Sequence, residues 1–367
     1  MNEDKSTRYR RLHRRSSILA AANAALFLVL LVVSGGSAAL RDALGGLPPW
    51  IALVSFVVVG ALGLELIELP LAYYKGVTLE RRYGLSTQPA ARWWIDWLKS
   101  AALGLCVTVG AAALCWSLIG WNPERWWIAA AAGAAVLLVV LTVAAPVVLL
   151  PMFFDFKPLE RAGLAARLEA LAARAGARVL GVFEWRLQDR TRKANAALAG
   201  IGRTRRILVS DTLLAAHSDE EIEVILAHEL GHHVHGDIWT SLALESALVA
   251  AGLYAADRAL AWSAGSFGLG GKDDLAALPV LLLAAGAVSV ALRPAAHALS
   301  RAHERRADRY ALDLTGDTVS FISALKRLGA QNLAEERPSR LAEVLFYTHP
   351  PMGARIEAAQ AYRRNAG

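Results

Sequence analysis

The chain has 367 residues, 55% hydrophobic and only 19% charged, with a mean hydropathy of +0.37 and a net charge of +7. A soluble enzyme is usually about 25% charged, so the composition excludes an ordinary soluble globular chain and points to a membrane protein with a smaller soluble part. The basic residues gather beside apolar segments rather than in one soluble patch, which makes membrane orientation their role and nucleic acid no expected partner.

In chain order, a basic head (Lys5, Arg8, Arg10, Arg11, Arg14, Arg15) leads into an apolar run at residues 17–40, long enough to span a bilayer. The run is too long for the apolar part of a cleaved signal peptide, and further spans follow. A second span, about 50–74, carries Glu65 and Glu68. Both are costly in lipid and are expected to face the bundle interior or a cavity. Residues 75–99 read as a polar loop whose Trp93, Trp94 and Trp97 suit a membrane interface. Spans at 100–120 and 126–150 follow, and Cys106 and Cys115 within them read as packed hydrophobes rather than a disulfide.

Residues 159–177 form an amphipathic helix pattern, followed by short strand-like runs at 182–187, 194–200 and 206–210. Ser218-Asp219-Glu220-Glu221 then reads as an N-cap with acids in the first helical turn. Two more spans, about 238–263 and 276–299, are joined by a Gly-rich segment, and the tail from residue 300 is polar and helical. The expected divisions are 1–158, with four spans, 159–237, 238–299 and 300–367. The N-terminal 16 residues hold six Lys/Arg and the 75–99 segment five, whereas the opposite connections hold about one each (Arg41, Arg125, Lys272). The positive-inside rule therefore puts the N-terminus, the strand-containing part and the C-terminal part in the cytoplasm.

The metal signal lies in His228-Glu229-Leu230-Gly231-His232. Histidines four apart share one helical face and can converge on one ion, with the glutamate beside a bound water as general base. Two imidazoles suit Zn²⁺, one per chain, and a catalytic zinc takes a third protein ligand and keeps an open position. His235 shares the face but stands about 10.5 Å of helix rise from His228, too far to join them. Past the last span, Glu304 can complete a two-His, one-Glu set. Asp308, four residues on, can hold a ligand imidazole in place. His303 falls on another face and reads as surface. A charged helix face is the plain alternative, but Glu304 and Asp308 would repel each other there unless a cation sat nearby.

These motifs, with Thr348-His349-Pro350-Pro351 near the end, resemble the membrane metallopeptidases typified by the type 1 CAAX prenyl proteases (the Ste24-like M48 family). Residues 80–88, 151–159, Asn195-Ala196 and 206–214 are similar to further segments of that family. The resemblance implies an α-helical membrane bundle of about six spans with a cytoplasmic α+β zinc metallopeptidase domain. It implies zinc on His228, His232 and Glu304, Glu229 as base, and His349 and Arg355 contacting substrate or the developing oxyanion. It also places Asn195 and Ala196 on a substrate-binding edge. The expected substrates are membrane-associated or prenylated peptides in contact with the bilayer. The family's eukaryotic members carry one more N-terminal span, so a membrane chamber like theirs is expected to be less closed here. Quality-control proteases of the HtpX type share the motif but fit less well, because of the extra spans and the 75–99 segment. A non-catalytic scaffold or carrier with structural zinc has no use for Glu229.

Overall fold

A computed structural model describes residues 4–200 and 202–366. Helix α1 (Lys5–Val33) already includes the basic head, because Asp4 caps it by accepting from the Ser6 amide. The turn at Gly35, with φ of 75°, ends it and starts the short α2 (Gly36–Leu44). The first span is therefore shifted toward the N-terminus relative to residues 17–40.

Helix α3 (Pro49–Tyr73) runs through a π-helical turn, Tyr74–Leu79, into α4 (Glu80–Arg82), and α5 (Ala90–Trp121) follows. The expected polar loop at 75–99 is thus mostly helix, with only residues 83–89 between the two rods. That short link is not free: Thr87 N donates to Arg190 O (3.1 Å), Arg192 N to Leu85 O (2.8 Å), and Arg190 pairs with Asp96. Backbone bonding to the soluble part, rather than solvation, organises the segment. Helix α6 (Trp126–Ala144) ends in a second π-helical turn, Ala145–Leu149, and α7 (Leu150–Phe153).

Among the described residues, six helices are long and apolar enough to cross a membrane; the last two are α11 (Asp237–Ser263) and α12 (Leu278–Thr315, with its lead-in from Leu275). Their far ends close on a buried hub. Asp257, fully buried, accepts from Trp126 Nε1 (2.8 Å) and pairs with Lys272 and Arg258. Glu65 is exposed and Glu68 half-buried. Glu68 Oε1 is enclosed without a hydrogen-bond partner, and neither residue lines the metal-centre cavity described below.

The remaining elements pack as an α+β unit. Strands β1 (Phe156–Pro158), β2 (Val182–Trp185), β3 (Ala196–Ala199) and β4 (Arg206–Ser210) form one sheet in the order β1-β2-β4-β3. Only β2 and β4 are parallel. Strand β4 has the bounds of the expected run 206–210, β2 and β3 are shorter than the runs 182–187 and 194–200, and β1 is an additional strand. Helix α8 (Ala162–Arg174) buries Leu164, Leu168 and Leu171 on one face. They join Ile207, Val209, Ile222, Leu226 and Phe321 in one core shared with α9 (Asp211–Ala216), α10 (Asp219–Val234) and α13 (Thr318–Gln331). Helices α14 (Arg340–Phe346) and α15 (Met352–Ala366) complete the chain.

Candidate metal centre

Helix α10 is fixed at its start by a capping box: Ser218 Oγ accepts from Glu221 N (3.3 Å) and Glu221 Oε2 from Ser218 N (3.0 Å). Acids fill its first turn, and Ile222 and Leu226 anchor one face in the core. The helix must then run close to α12. Gly231 permits this, since a Cβ there would stand 2.9 Å from Ala307 Cα and 3.2 Å from Ala307 O. Just beyond, Gly236 adopts φ of 66° and turns the chain into α11.

The close crossing brings Glu304 of α12 onto the histidine face. His228 Nε2 and His232 Nε2 are 3.2 Å apart. Glu304 Oε2 lies 3.3 Å from the first and Oε1 3.4 Å from the second. Asp308 Oδ1 stands 2.8 Å from His228 Nδ1, and Asp237 Oδ2 stands 2.8 Å from His232 Nδ1. The Asp237 contact is a hydrogen bond that favours the ring proton of His232 on Nδ1 and leaves its Nε2 facing Glu304, and Asp308 lies beside Nδ1 of His228 on the side away from Glu304. Three atoms able to ligate a metal, all within 4.8 Å of one another, thus converge. Glu304 Oε2 is buried without a hydrogen-bond partner. A metal cation at their centre would satisfy all three. Tetrahedral zinc with bonds of 2.0–2.1 Å sets neighbouring ligand atoms about 3.3 Å apart, and the residues present fit it.

The carboxylates around the two histidines favour positive charge at this point. Burial disfavours charge on His228, but its contacts with Asp308 and Glu304 outweigh that and raise its pKa to about 9. For His232, too, burial is outweighed by Glu304 and Asp237, and its pKa is raised. Burial raises the pKa of Glu229 against the opposing pull of His228 and His232, leaving a more basic carboxylate than usual.

Glu229 faces two openings. It lines a cavity of about 530 Å³ toward α13 and α1, and a smaller one of about 250 Å³ shared with His232, Leu198 and Trp239. Asn195 and Ala196 line the larger cavity, where β3 is an edge strand paired only with β4. His349, well exposed, places Nε2 3.1 Å from Glu304 Oε1. Arg355 grips Asp308 with Nε at 2.8 Å and Nη2 at 2.5 Å, and this carboxylate beneath it raises its pKa against burial. His235 bonds back to Gly231 O and stays outside the cluster.

His303 is not a surface residue. It is buried where α12 crosses the start of α11, with Nε2 3.0 Å from Thr240 Oγ1. Sequence reasoning also missed Asp237, whose signal was an acid five residues after the second histidine, and Arg301. The latter donates to Tyr347 O (2.7 Å) and Glu343 O (3.0 Å) and ties the His349 segment to α12. Arg10, His13 and Arg14 of α1 line the larger cavity, with Arg14 Nη1 bonded to Glu335 (2.6 Å) and the Tyr347 hydroxyl (2.7 Å).

A model of peptidase family M48 matches residues 158–363, and one of the CAAX prenyl protease N-terminal region, described as five membrane helices, matches residues 2–155. The uncharacterized metalloprotease YhfN of Bacillus subtilis is 32% identical over 339 residues, covering 89% of this chain and 78% of its own. CAAX prenyl protease 1 of Saccharomyces cerevisiae is 28% identical over 317 residues, covering 80% and 68%. The crystal structure of S. mikatae Ste24p shares the fold, with a TM-score of 0.85 at 22% identity over 97% of this chain and 88% of that one. The chain belongs to peptidase family M48 and is a multi-pass membrane metallopeptidase.

Proposed function

We propose that this protein is a zinc-dependent endopeptidase that cuts membrane-associated, prenylated (CAAX-type) polypeptides on the cytoplasmic side of the membrane. The observation that carries the reading is the convergence of His228, His232 and Glu304 beside Glu229, in a site open on two sides. Two cavities meeting at Glu229 suit a polypeptide that extends to both sides of the base, as an endopeptidase requires. The lipid part rests on position. Helix α11 begins at Asp237, three residues after α10 ends, and exposes Ile238 and Trp239 there. Scission therefore occurs about one helical turn from the bilayer surface. The larger cavity has an apolar wall (Val224, Phe321, Leu325, Leu328) and the guanidinium of Arg10, bonded among the described residues only to backbone carbonyls beside the Arg14–Glu335 pair, which suits an apolar tail with a terminal carboxylate. Similar proteins are named CAAX prenyl protease 1, a probable CAAX prenyl protease 1 and a CAAX prenyl protease 1 homolog. The Lys/Arg asymmetry supports the cytoplasmic side.

His228, His232 and Glu304 would hold the zinc, with Asp308 and Asp237 fixing the imidazoles. Zinc in that position supplies Lewis-acid polarisation of the scissile carbonyl and acidification of water. The protein's own groups do the rest. The free edge of β3 at Asn195 and Ala196 takes the extended substrate through backbone hydrogen bonds. Glu229, made more basic by burial, removes the proton of the attacking water and passes it to the leaving amine. His349, exposed and next to Glu304, donates to the carbonyl oxygen as charge develops there. Arg355 holds Asp308 in register and neutralises it behind the ligands.

The test is incubation of the full chain in nanodiscs with a farnesylated peptide and its unmodified twin, with and without chelator, read by mass spectrometry. Internal cleavage that stops with chelator and favours the farnesylated peptide is expected. Cleavage indifferent to chelator would overturn the metal mechanism, and equal turnover of the twins would overturn the prenyl preference. Preferential degradation of unfolded membrane proteins would favour a quality-control protease instead.

A further inference from the structure

Away from the metal centre, a cleft of about 600 Å³ lies where α11 and α12 leave the apolar bundle. Leu299 and Ala302 give its lining an apolar part, and Arg305, Arg306 and Arg309 give it a basic one. The three guanidinium groups are differently employed. Arg306 donates to Asp237 Oδ1 (2.5 Å). Arg309 bonds both Asp313 oxygens (3.1 Å each) and lies over the Tyr362 ring. Arg305 is exposed and has no hydrogen-bond or ion-pair partner among the described residues. Three cations thus face two carboxylates, leaving one positive charge unmatched.

Depth decides what kind of anion reaches this charge. Past Arg293 and His297, the last apolar side chain of α12 before its charged run is Leu299, and Arg305 and Arg306 follow six and seven residues later, a rise of about 9–10 Å. The headgroup layer extends roughly 5–8 Å beyond each face of the hydrocarbon core. Long arginine side chains lean back toward the apolar edge, with the stem on nonpolar surface and the guanidinium in the polar layer. On α11, which contributes Thr240 to the cleft, the exposed Trp239 near the start of the helix suits the interface as well. A guanidinium matches phosphate in a bidentate fashion, and the apolar part of the lining suits acyl chains.

We propose that this cleft binds the phosphate of an anionic phospholipid from the leaflet next to the metal centre, with Arg305 and Arg306 as its ligands. The proposal does not depend on the peptidase's substrate. It does give the lipid a place beside the catalytic machinery, because Arg306 also contacts Asp237, which holds His232. A headgroup there fixes the start of α11 against α12.

The test uses the purified full chain in detergent and native mass spectrometry. Phosphatidylglycerol and phosphatidylcholine with identical acyl chains are titrated separately, and inorganic phosphate is a third arm. Phosphatidylglycerol should be retained preferentially. Arg305→Gln should weaken it about fivefold, the effect of one basic residue at a charged membrane surface, and Arg305→Lys should keep most of it. Peptide cleavage by Arg305→Gln in lipid-free detergent should match the parent, which verifies folding. Equal retention of the two lipids, or full retention of phosphatidylglycerol by Arg305→Gln, would overturn the site. Displacement of phosphatidylglycerol by inorganic phosphate would overturn the lipid and leave a soluble-anion site.

Discussion

Replacing Gly231 by alanine tests whether the crossing of α10 and α12 builds the metal centre. An added Cβ would stand 2.9 Å from Ala307 Cα, 3.2 Å from Ala307 O and 3.2 Å from Tyr310 Cβ. Nonbonded carbons prefer about 3.5–4.0 Å, so α12 must retreat by roughly 0.5–1 Å, and two of the three obstacles are backbone atoms that cannot swing aside. Glu304 sits one turn before Ala307 and moves with it. Its oxygens lie 3.3 and 3.4 Å from the imidazole nitrogens, and a metal site tolerates only about 0.2 Å of error in each bond. Metal affinity should therefore fall by at least the 10–100-fold seen when ligand-supporting groups are lost. Stability should change less, because overpacking costs about 1–3 kcal/mol while alanine in a helix recovers up to about 1 kcal/mol. The assay is zinc content after dialysis against a graded chelator, with Gly163→Ala as control, since nothing lies within 4 Å of a Cβ at that position. Zinc retention by Gly231→Ala equal to that of the control would refute the reasoning.

Glu229→Gln should keep zinc and lose cleavage by about 10²–10⁴-fold, whereas Glu304→Ala should lose both, with partial recovery in excess zinc; metal content measured beside one reporter peptide separates them. Asp237→Asn should lower zinc affinity about 10–100-fold with the fold intact by circular dichroism, and unchanged affinity would deny Asp237 its hold on His232. Single cysteines at the exposed positions Glu336 and Ser266 should react with an impermeant reagent from opposite faces of the membrane, Glu336 from the cytoplasm. Labelling from one face would undo the topology.

What the sequence made legible at the centre was what one helix can encode. His228 and His232 are one turn apart, so their shared face follows from helical periodicity, as does the Glu304–Asp308 pair on α12. Their meeting is a matter of packing. It depends on the missing side chain of Gly231, which within the motif reads as a spacer and acquires meaning only from Ala307 across the crossing. Asp237 was hidden for a different reason. It follows the left-handed turn at Gly236 and reads as an ordinary first-turn acid of the next span, yet the turn folds it back onto His232. The same crossing converts His303 from an expected surface residue into a buried partner of Thr240.

Arg10 and Arg14 show how one residue pattern can serve two purposes. As positive charges before a span they orient the chain, and this accounts for them fully at the level of sequence. Their helix also extends beyond the bilayer and lies against the C-terminal segment. There Arg10 Nε donates to Leu333 O (2.9 Å) and Arg14 to Glu335 and Tyr347. Tyr347 is two residues before His349, and Arg301 pins its carbonyl from α12. The segment carrying His349 is thus held by the first and the last membrane helices together. The soluble catalytic part is therefore not an independent domain attached to an anchor: the membrane bundle supplies Glu304, Asp308 and Asp237 and braces the loop that faces them.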